Sequence, residues 1–229
     1  MYNPPAHRQE DREALFELMT SVAFATLVTV AANEPYVSHV PMHVVRGDDG
    51  ARLRGHVARA NAHWRLHGDG AAVPALAIFL GGDDYVSPRW YPSKAEHGRV
   101  VPTWNYRIVH ARGTLRFFHG ADALRDLVAS LSDAHERAFD RPWSIDDAPA
   151  DYIDTQLRGI VGFELAIESL EGKWKLSQNR SVADRFGAIE ALESRGTSRA
   201  IELARAMRES SSARPSGRSI DHEDAARPR

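Results

Sequence analysis

At 229 residues, with 43% hydrophobic and 26% charged side chains, the chain is long enough to bury one large core or two small ones. A formal net charge of -2 offers no global basic field to gather nucleic acid. The absence of cysteine excludes disulfides, thiolate metal sites and cysteine nucleophiles, and fits a reducing compartment. The start, Met1-Tyr2-Asn3-Pro4-Pro5, lacks the pattern of a signal peptide, and no apolar run nears the roughly 20 residues that span a bilayer. The expectation is a soluble, cytoplasmic protein with no membrane partner.

Behind acidic Glu10, Asp11 and Glu13, the residues Leu15, Leu18, Met19 and Val22 recur at helical spacing. Phe24 to Ala32 reads as a buried strand, Asn33-Glu34-Pro35 as a turn, and Tyr36 to Val45 as a second strand. Gly47-Asp48-Asp49-Gly50 signals a hairpin into Arg52 to Val57. Ala58 to His67 suggests a short helix with Ala60, Trp64 and His67 on one face. Val73 to Leu80 reads as a strand closed by Gly81-Gly82-Asp83-Asp84. Tyr85 to Val101 is an aromatic loop too long for a plain connector. From Val109, apolar Val109, Ala111, Leu115 and Phe117 alternate with His110, Arg112, Thr114 and Arg116, the pattern of a half-exposed strand.

Leu124, Leu127, Val128 and Leu131 mark a helix, and Asp151 to Leu157 a shorter one after Pro149. Phe163, Leu165 and Ile167 belong to a last long strand. Ser181 is the N-cap of a helix that Gly196 ends, and Ile201, Ala204 and Met207 mark a terminal helix. The domain so read spans residues 1–208, and 209–229 has the composition of a disordered tail. Many strands, few helices and no regular alternation of the two imply a mainly β, antiparallel barrel with peripheral helices.

Several chemistries are set aside by spacing. There is no dinucleotide or phosphate-loop motif and no nucleophile elbow. His39 and His43, four apart on a strand, stand about 13 Å from each other, too far for one ion. His63 and His67 would share a helical face without further ligands, so the expectation is a solvated surface and no metal. Four stretches mix rings, cations and amides. They are Leu53 to Asn61, Tyr85 to Lys94, Val101 to Tyr106, and Glu171 to Arg180 (Glu-Gly-Lys-Trp-Lys-Leu-Ser-Gln-Asn-Arg). The chain has three lysines, Lys94, Lys173 and Lys175, and all three lie in these stretches. Such a mixture suits a flat heterocycle with a polar edge and a phosphate. It equally suits Trp90, Trp104 and Trp174 as core or interface anchors with solvated cations beside them.

These stretches, with the Met-Tyr-x-Pro start and Phe24-Ala25-Thr26-Leu27-Val28, resemble the PaiB-type family of FMN-binding negative transcriptional regulators. The resemblance runs from Met1 to about Met207. It implies a split β-barrel like that of pyridoxamine-phosphate-oxidase-like flavoproteins, and a homodimer with FMN near the subunit interface. Ala62 stands where the family has proline, a change that bears on a helix start more than on a ligand contact. The resemblance also implies site roles. Arg54, His56 and Ser87 would hold the phosphate, and Lys94 the phosphate or the ring edge. Trp90, Tyr91 and Trp104 would wall the isoalloxazine beside Asn105. Lys173, Lys175, Gln178 and Arg180 would complete the pocket, from the same or the partner subunit.

Two functions follow. One is a negative regulator that contacts promoter DNA directly or indirectly, although no helix-turn-helix is evident and Glu190, Glu193, Glu202 and Glu209 dilute the basic residues between Arg185 and Arg208. The other is an FMN-dependent oxidoreductase or flavin reductase. A dimeric binding module acting through another protein is a third reading.

Overall fold

The computed structural model describes residues 1–68 and 70–212. Helix α1 (Arg12–Val22) starts at Asp11, whose carboxylate accepts from the Glu13 backbone N–H at 3.0 Å. Its Leu15, Phe16, Leu18 and Met19 are buried, the stripe that the helical spacing requires. Seven strands follow the chain: β1 (Arg8–Gln9), β2 (Phe24–Ala31), β3 (Glu34–Gly47), β4 (Gly50–Ala58), β5 (Val73–Val86), β6 (Thr103–Phe118) and β7 (Ile160–Lys175). Their order is β1-β7-β4-β3-β2-β5-β6, all antiparallel, and β6 pairs again with β7. That last pairing closes β2 to β7 into a barrel. Its interior holds Leu27, Met42, Leu53, Phe79, Val109, Leu115, Phe163 and Leu165.

The remaining helices are α2 (Ser93–His97), α3 (Ala121–Glu136), α4 (Ala150–Arg158), α5 (Val182–Arg195) and α6 (Ser198–Ser212). Helices α5 and α6 build a second core with Val86, Tyr91 and Leu176, and Trp174 packs against both cores. Ser181 caps α5 and Gly196 ends it at φ 69°, as their residue types require. Helix α6 continues past the expected boundary at 208 to Ser212; the rest of the expected tail, 213–229, lies outside the described residues. Among the described residues, no helix is long and apolar enough to cross a membrane.

Four local expectations need correction. The β2–β3 turn is Ala32-Asn33, both with positive φ, and Pro35 already lies in β3. Both prolines of β3 sit in the stretch that pairs with β2 alone, where a missing N–H is tolerated. The Gly81–Asp84 stretch does not close β5. It is a bulge, after which β5 pairs with β6 as far as Val86. Accordingly the aromatic loop is shorter than expected and contains the 3-10 turn Pro88–Trp90 and α2. The helix expected over Ala58–His67 is a 3-10 helix, Ala62–His67, capped by Asn61.

A second irregularity, between Arg112 and Gly113, leaves Glu168 of β7 with no β6 residue in register, although its carboxylate accepts from Thr114 Oγ1 at 2.6 Å. Before it, Phe163, Leu165 and Ile167 pair with the inward residues of β6; after it, Leu170 and Gly172 do. The inward set of β7 thereby changes from odd to even numbers. A Cβ on Gly113 would lie 1.8 Å from the Ala166 carbonyl oxygen, so the close approach admits only glycine.

On that 3-10 helix, His63 points inward, where a solvated helix face was expected. Its ring is fully buried, with Nδ1 2.9 Å from Ser38 Oγ and Nε2 2.8 Å from Thr29 Oγ1. Burial, and then the charge of His67, push its pKa down to about 4 from 6.5. The unfolded chain therefore takes up the proton first as pH falls. Stability from this site is complete above about pH 6.5 and is lost progressively towards about pH 4, by up to ~3 kcal/mol. Denaturant melts across that window should show the loss, and His63→Asn should flatten the slope.

Candidate functional site

Because the β7 irregularity sets the alternation, Lys173 and Lys175 point away from Trp174 towards the outer face of the β6–β7 pair. Ile108 lies opposite Lys173 and Tyr106 opposite Lys175. Lys173 is only 8% exposed. Its ammonium donates to the Tyr2 carbonyl at 2.9 Å and lies 5.3 Å and 5.5 Å from the ring centres of Tyr2 and Tyr106. Among the described residues no carboxylate is within ion-pair reach of it. Lys175 donates to Thr103 Oγ1 and, at 2.8 Å, to the Trp104 carbonyl, which ties β7 to the start of β6. Burial, with the Lys173 charge second, lowers its pKa.

A cleft of about 500 Å³ opens beside these lysines, lined by Tyr2, Leu80, Asp83, Trp104, Tyr106, Ile108, His110 and Lys173 among others. Trp104 is 45% exposed, and its indole N–H donates to Asp83 Oδ2 at 2.8 Å. The His110 pKa is lowered chiefly by burial, with the nearby α-ammonium of Met1 acting in the same direction and Glu171 opposing. The first residues strap the cleft edge: Asn3 Nδ2 donates to the Gly172 carbonyl at 2.8 Å, and β1 pairs with Gly172 and Lys173. Rings with free faces, a buried cation without an anion and room for a ring system are what an anionic heterocycle requires.

A family model described as "Putative FMN-binding domain" matches residues 1–169. The protein named protease synthase and sporulation protein PAI 2, from Bacillus subtilis (strain 168), is 30% identical over 207 residues, covering 90% of this chain and 96% of its own. The chain belongs to this FMN-binding family. That bears out the resemblance drawn from the motifs, and FMN as the cofactor. Among solved structures, an FAD and haem binding protein from Mycobacterium smegmatis has a TM-score of 0.54 at 20% identity, covering 80% of each chain. A conserved hypothetical protein from Mycobacterium tuberculosis has a TM-score of 0.53 at 13% identity, covering 80% of this chain and 97% of its own. At these identities the likeness concerns the fold alone, and it agrees with the expected split barrel.

The residues expected to meet FMN fall into three places. Trp104 and Lys173 line the cleft, and Lys175 holds the Trp104 carbonyl beside it. Arg54 and His56 share the outer face of β4, paired with Glu164 and Gly162 of β7. At ~3.3 Å per residue this is roughly 30 Å along the strand from Lys173. Arg54 NH1 pairs there with Asp126 of α3 at 2.8 Å, and its Nε lies 3.7 Å from Glu164.

The third group sits over the second core. Tyr91 is 2% exposed, with the Arg180 guanidinium 5.1 Å from its ring centre. Trp90 packs on the same core, Ser87 caps the 3-10 turn by accepting from the Arg89 N–H, and Lys94 is exposed on α2. Gln178 is taken up by the loop: Oε1 accepts from the Leu176 N–H at 2.8 Å and from His7 Nδ1 at 3.1 Å, while Nε2 donates to the Trp174 carbonyl.

Of the further cleft residues, Tyr2 and Tyr106 lie in the motifs but were given no site role, and Asp83 and His110 lie outside them. His110 was visible on the outer face of an alternating strand, whereas Asp83 was hidden in what looked like a turn. Asn105, expected beside the cofactor, is fully buried; its Nδ2 donates to Ser177 Oγ at 2.9 Å and lies 3.5 Å from Met207 Sδ. We expect Asn105→Ala to cost about 2 kcal/mol by leaving Ser177 short of a partner in the core. FMN affinity of the folded protein should stay within about twofold, as denaturant melts and FMN titration would show.

Proposed function

We propose that the chain is an FMN-binding homodimer that acts as a negative regulator of transcription, with the cleft beside Lys173 as its flavin site. The observation that carries the flavin assignment is the Lys173 ammonium, buried between two tyrosine rings with no carboxylate among the described residues in ion-pair reach. Lys173 would face an anionic part of FMN, Trp104 and Tyr106 its ring system, and Lys175 would keep the Trp104 backbone in place. Bound FMN would supply one- or two-electron redox chemistry.

The dimer is supported by an apolar band on the outer faces of β3, β2, β5 and β6. Val37 is paired with Val28, Val28 with Leu76, and Leu80 with Ile108. Val37 and Leu80 are exposed, and Leu80 and Ile108 also line the cleft. A second copy seated on this band would cover apolar surface and close the cleft together.

Support for the regulatory role is the similarity to a protein named for protease synthesis and sporulation. An indirect route to DNA is favoured by the pairing of arginines on α6: Arg199 with Asp83, Arg205 with Glu209 and Arg208 with Glu193. The same pairing favours, as a second reading, an FMN-dependent oxidoreductase or flavin reductase.

FMN titration tests the site. Lys173→Met should weaken binding about tenfold and Arg54→Ala by less than about twofold; the reverse ranking would move the site to β4. For the indirect route, promoter DNA should not shift in a gel even at low salt. A shift whose affinity falls steeply with salt would instead establish direct contact, and turnover of NADH or NADPH with an acceptor would establish the enzyme.

A further inference from the structure

Asp83 lies between the cleft and α6. It is a buried carboxylate on the β5 bulge, with Oδ2 accepting from the Trp104 indole N–H at 2.8 Å and Oδ1 2.9 Å from Arg199 NH2. The bulge is tied to the C-terminal helices at two further points. Asp84 Oδ1 accepts from Arg195 NH1 at 2.9 Å. Glu202 Oε1 accepts from the Gly82 backbone N–H at 2.9 Å and from Arg107 NH2 at 3.0 Å. A Cβ on Gly82 would stand 3.0 Å from the Glu202 carboxyl carbon, so any side chain there would require the Glu202 side chain to give by a few tenths of an ångström. Helices α5 and α6 both lie beyond residues 1–169, the part that the family model matches.

Two consequences follow from this chain of contacts. The one side-chain donor of Trp104 is already engaged, so its indole offers the cleft a ring but no hydrogen bond. The direction of that ring is set by Asp83, whose own second oxygen is held by a cation on α6. We propose that Asp83 is a positioning residue which, held by Arg199, orients Trp104 for contact with FMN, so that α6 belongs to the cofactor site without touching the cofactor. This rests on the cleft being the FMN site. An exposed ion pair by itself contributes little, and the Arg199 side chain is 60% exposed. Asp83 is not exposed, however, and a buried carboxylate deprived of its cation is costly to keep in place. A neighbouring cation therefore bears on where Asp83, and with it Trp104, can sit.

The test uses the full chain and two readouts. One is FMN titration; the other is Trp104 emission without flavin, taken as the difference between each variant and the same variant carrying Trp104→Phe. Asp83→Ala should weaken FMN about tenfold and Arg199→Glu about threefold, each shifting Trp104 emission, while Arg199→Lys should stay within about twofold of wild type. A purely structural role would lower the melting temperature while leaving the emission and the affinity of the folded protein unchanged. That result for Asp83→Ala and Arg199→Glu, with Trp104→Ala still weakening FMN, would overturn the positioning role and keep the cleft. No effect of Trp104→Ala or Lys173→Met on FMN would overturn the cleft, and the proposal with it. If Asp83→Ala does not fold, Arg199→Glu at its exposed position decides by the same two readouts.

Discussion

The extra residue in β7, Glu168, which has no register partner on β6, is the constraint on which the rest of the molecule depends. A strand alternates strictly, so without one extra residue the inward set that includes Phe163 and Leu165 would continue through Lys173 and Lys175. Two ammonium groups would then enter the apolar joint between the barrel and the helical core, without the carbonyl and rings that hold Lys173 where it is, and burying them there would be costly. The irregularity at Arg112/Gly113 puts Trp174 into that joint instead, against both cores, and delivers the lysines to the outer face. Burying Trp174 and placing the lysines on the outer face are therefore one event on this strand.

The electrostatics of the cleft follow from that placement. Lys173 and Lys175 share a face of β7 but not a task. Lys175 has two oxygen partners on β6 and cross-links the strands, whereas Lys173 has one carbonyl and two rings. Rings and a carbonyl hold an ammonium without neutralising it, which leaves a positive field directed at the cleft. The carboxylate that is present, Asp83, is turned to Trp104 and Arg199, so it opposes that field less than an unpaired acid would.

What could be read in the amino-acid sequence was what local chemistry decides. Ser181 as a cap, acidic Glu10, Asp11 and Glu13 ahead of a helix, Gly196 as a stop and the Asp48-Asp49 hairpin are all short-range signals, and the alternation on β6 is as local. The Gly81–Asp84 bulge was not legible, because Gly-Gly-Asp-Asp also reads as a turn and the group that holds it, Glu202, comes from a distant helix. His63 was misjudged as solvated because its partners, Thr29 and Ser38, come from β2 and β3, beyond the reach of local spacing; the face it shares with His67 was right, since both rings meet Thr29 Oγ1. Tyr91 and Asn105 sit in motif stretches with the composition of a ligand site, yet the C-terminal helices enclose both. For Arg54 and His56, spacing correctly put the pair on one face of a strand. It carried no information on how far along the barrel that face lies from Lys173.

The most direct measurement is a crystal structure of the full chain with FMN bound. The account predicts the isoalloxazine against Trp104 and Tyr106, with the Lys173 ammonium in hydrogen-bond reach of a flavin or phosphate oxygen. FMN seated at Arg54 and His56, with the cleft beside Lys173 empty of cofactor, would contradict it.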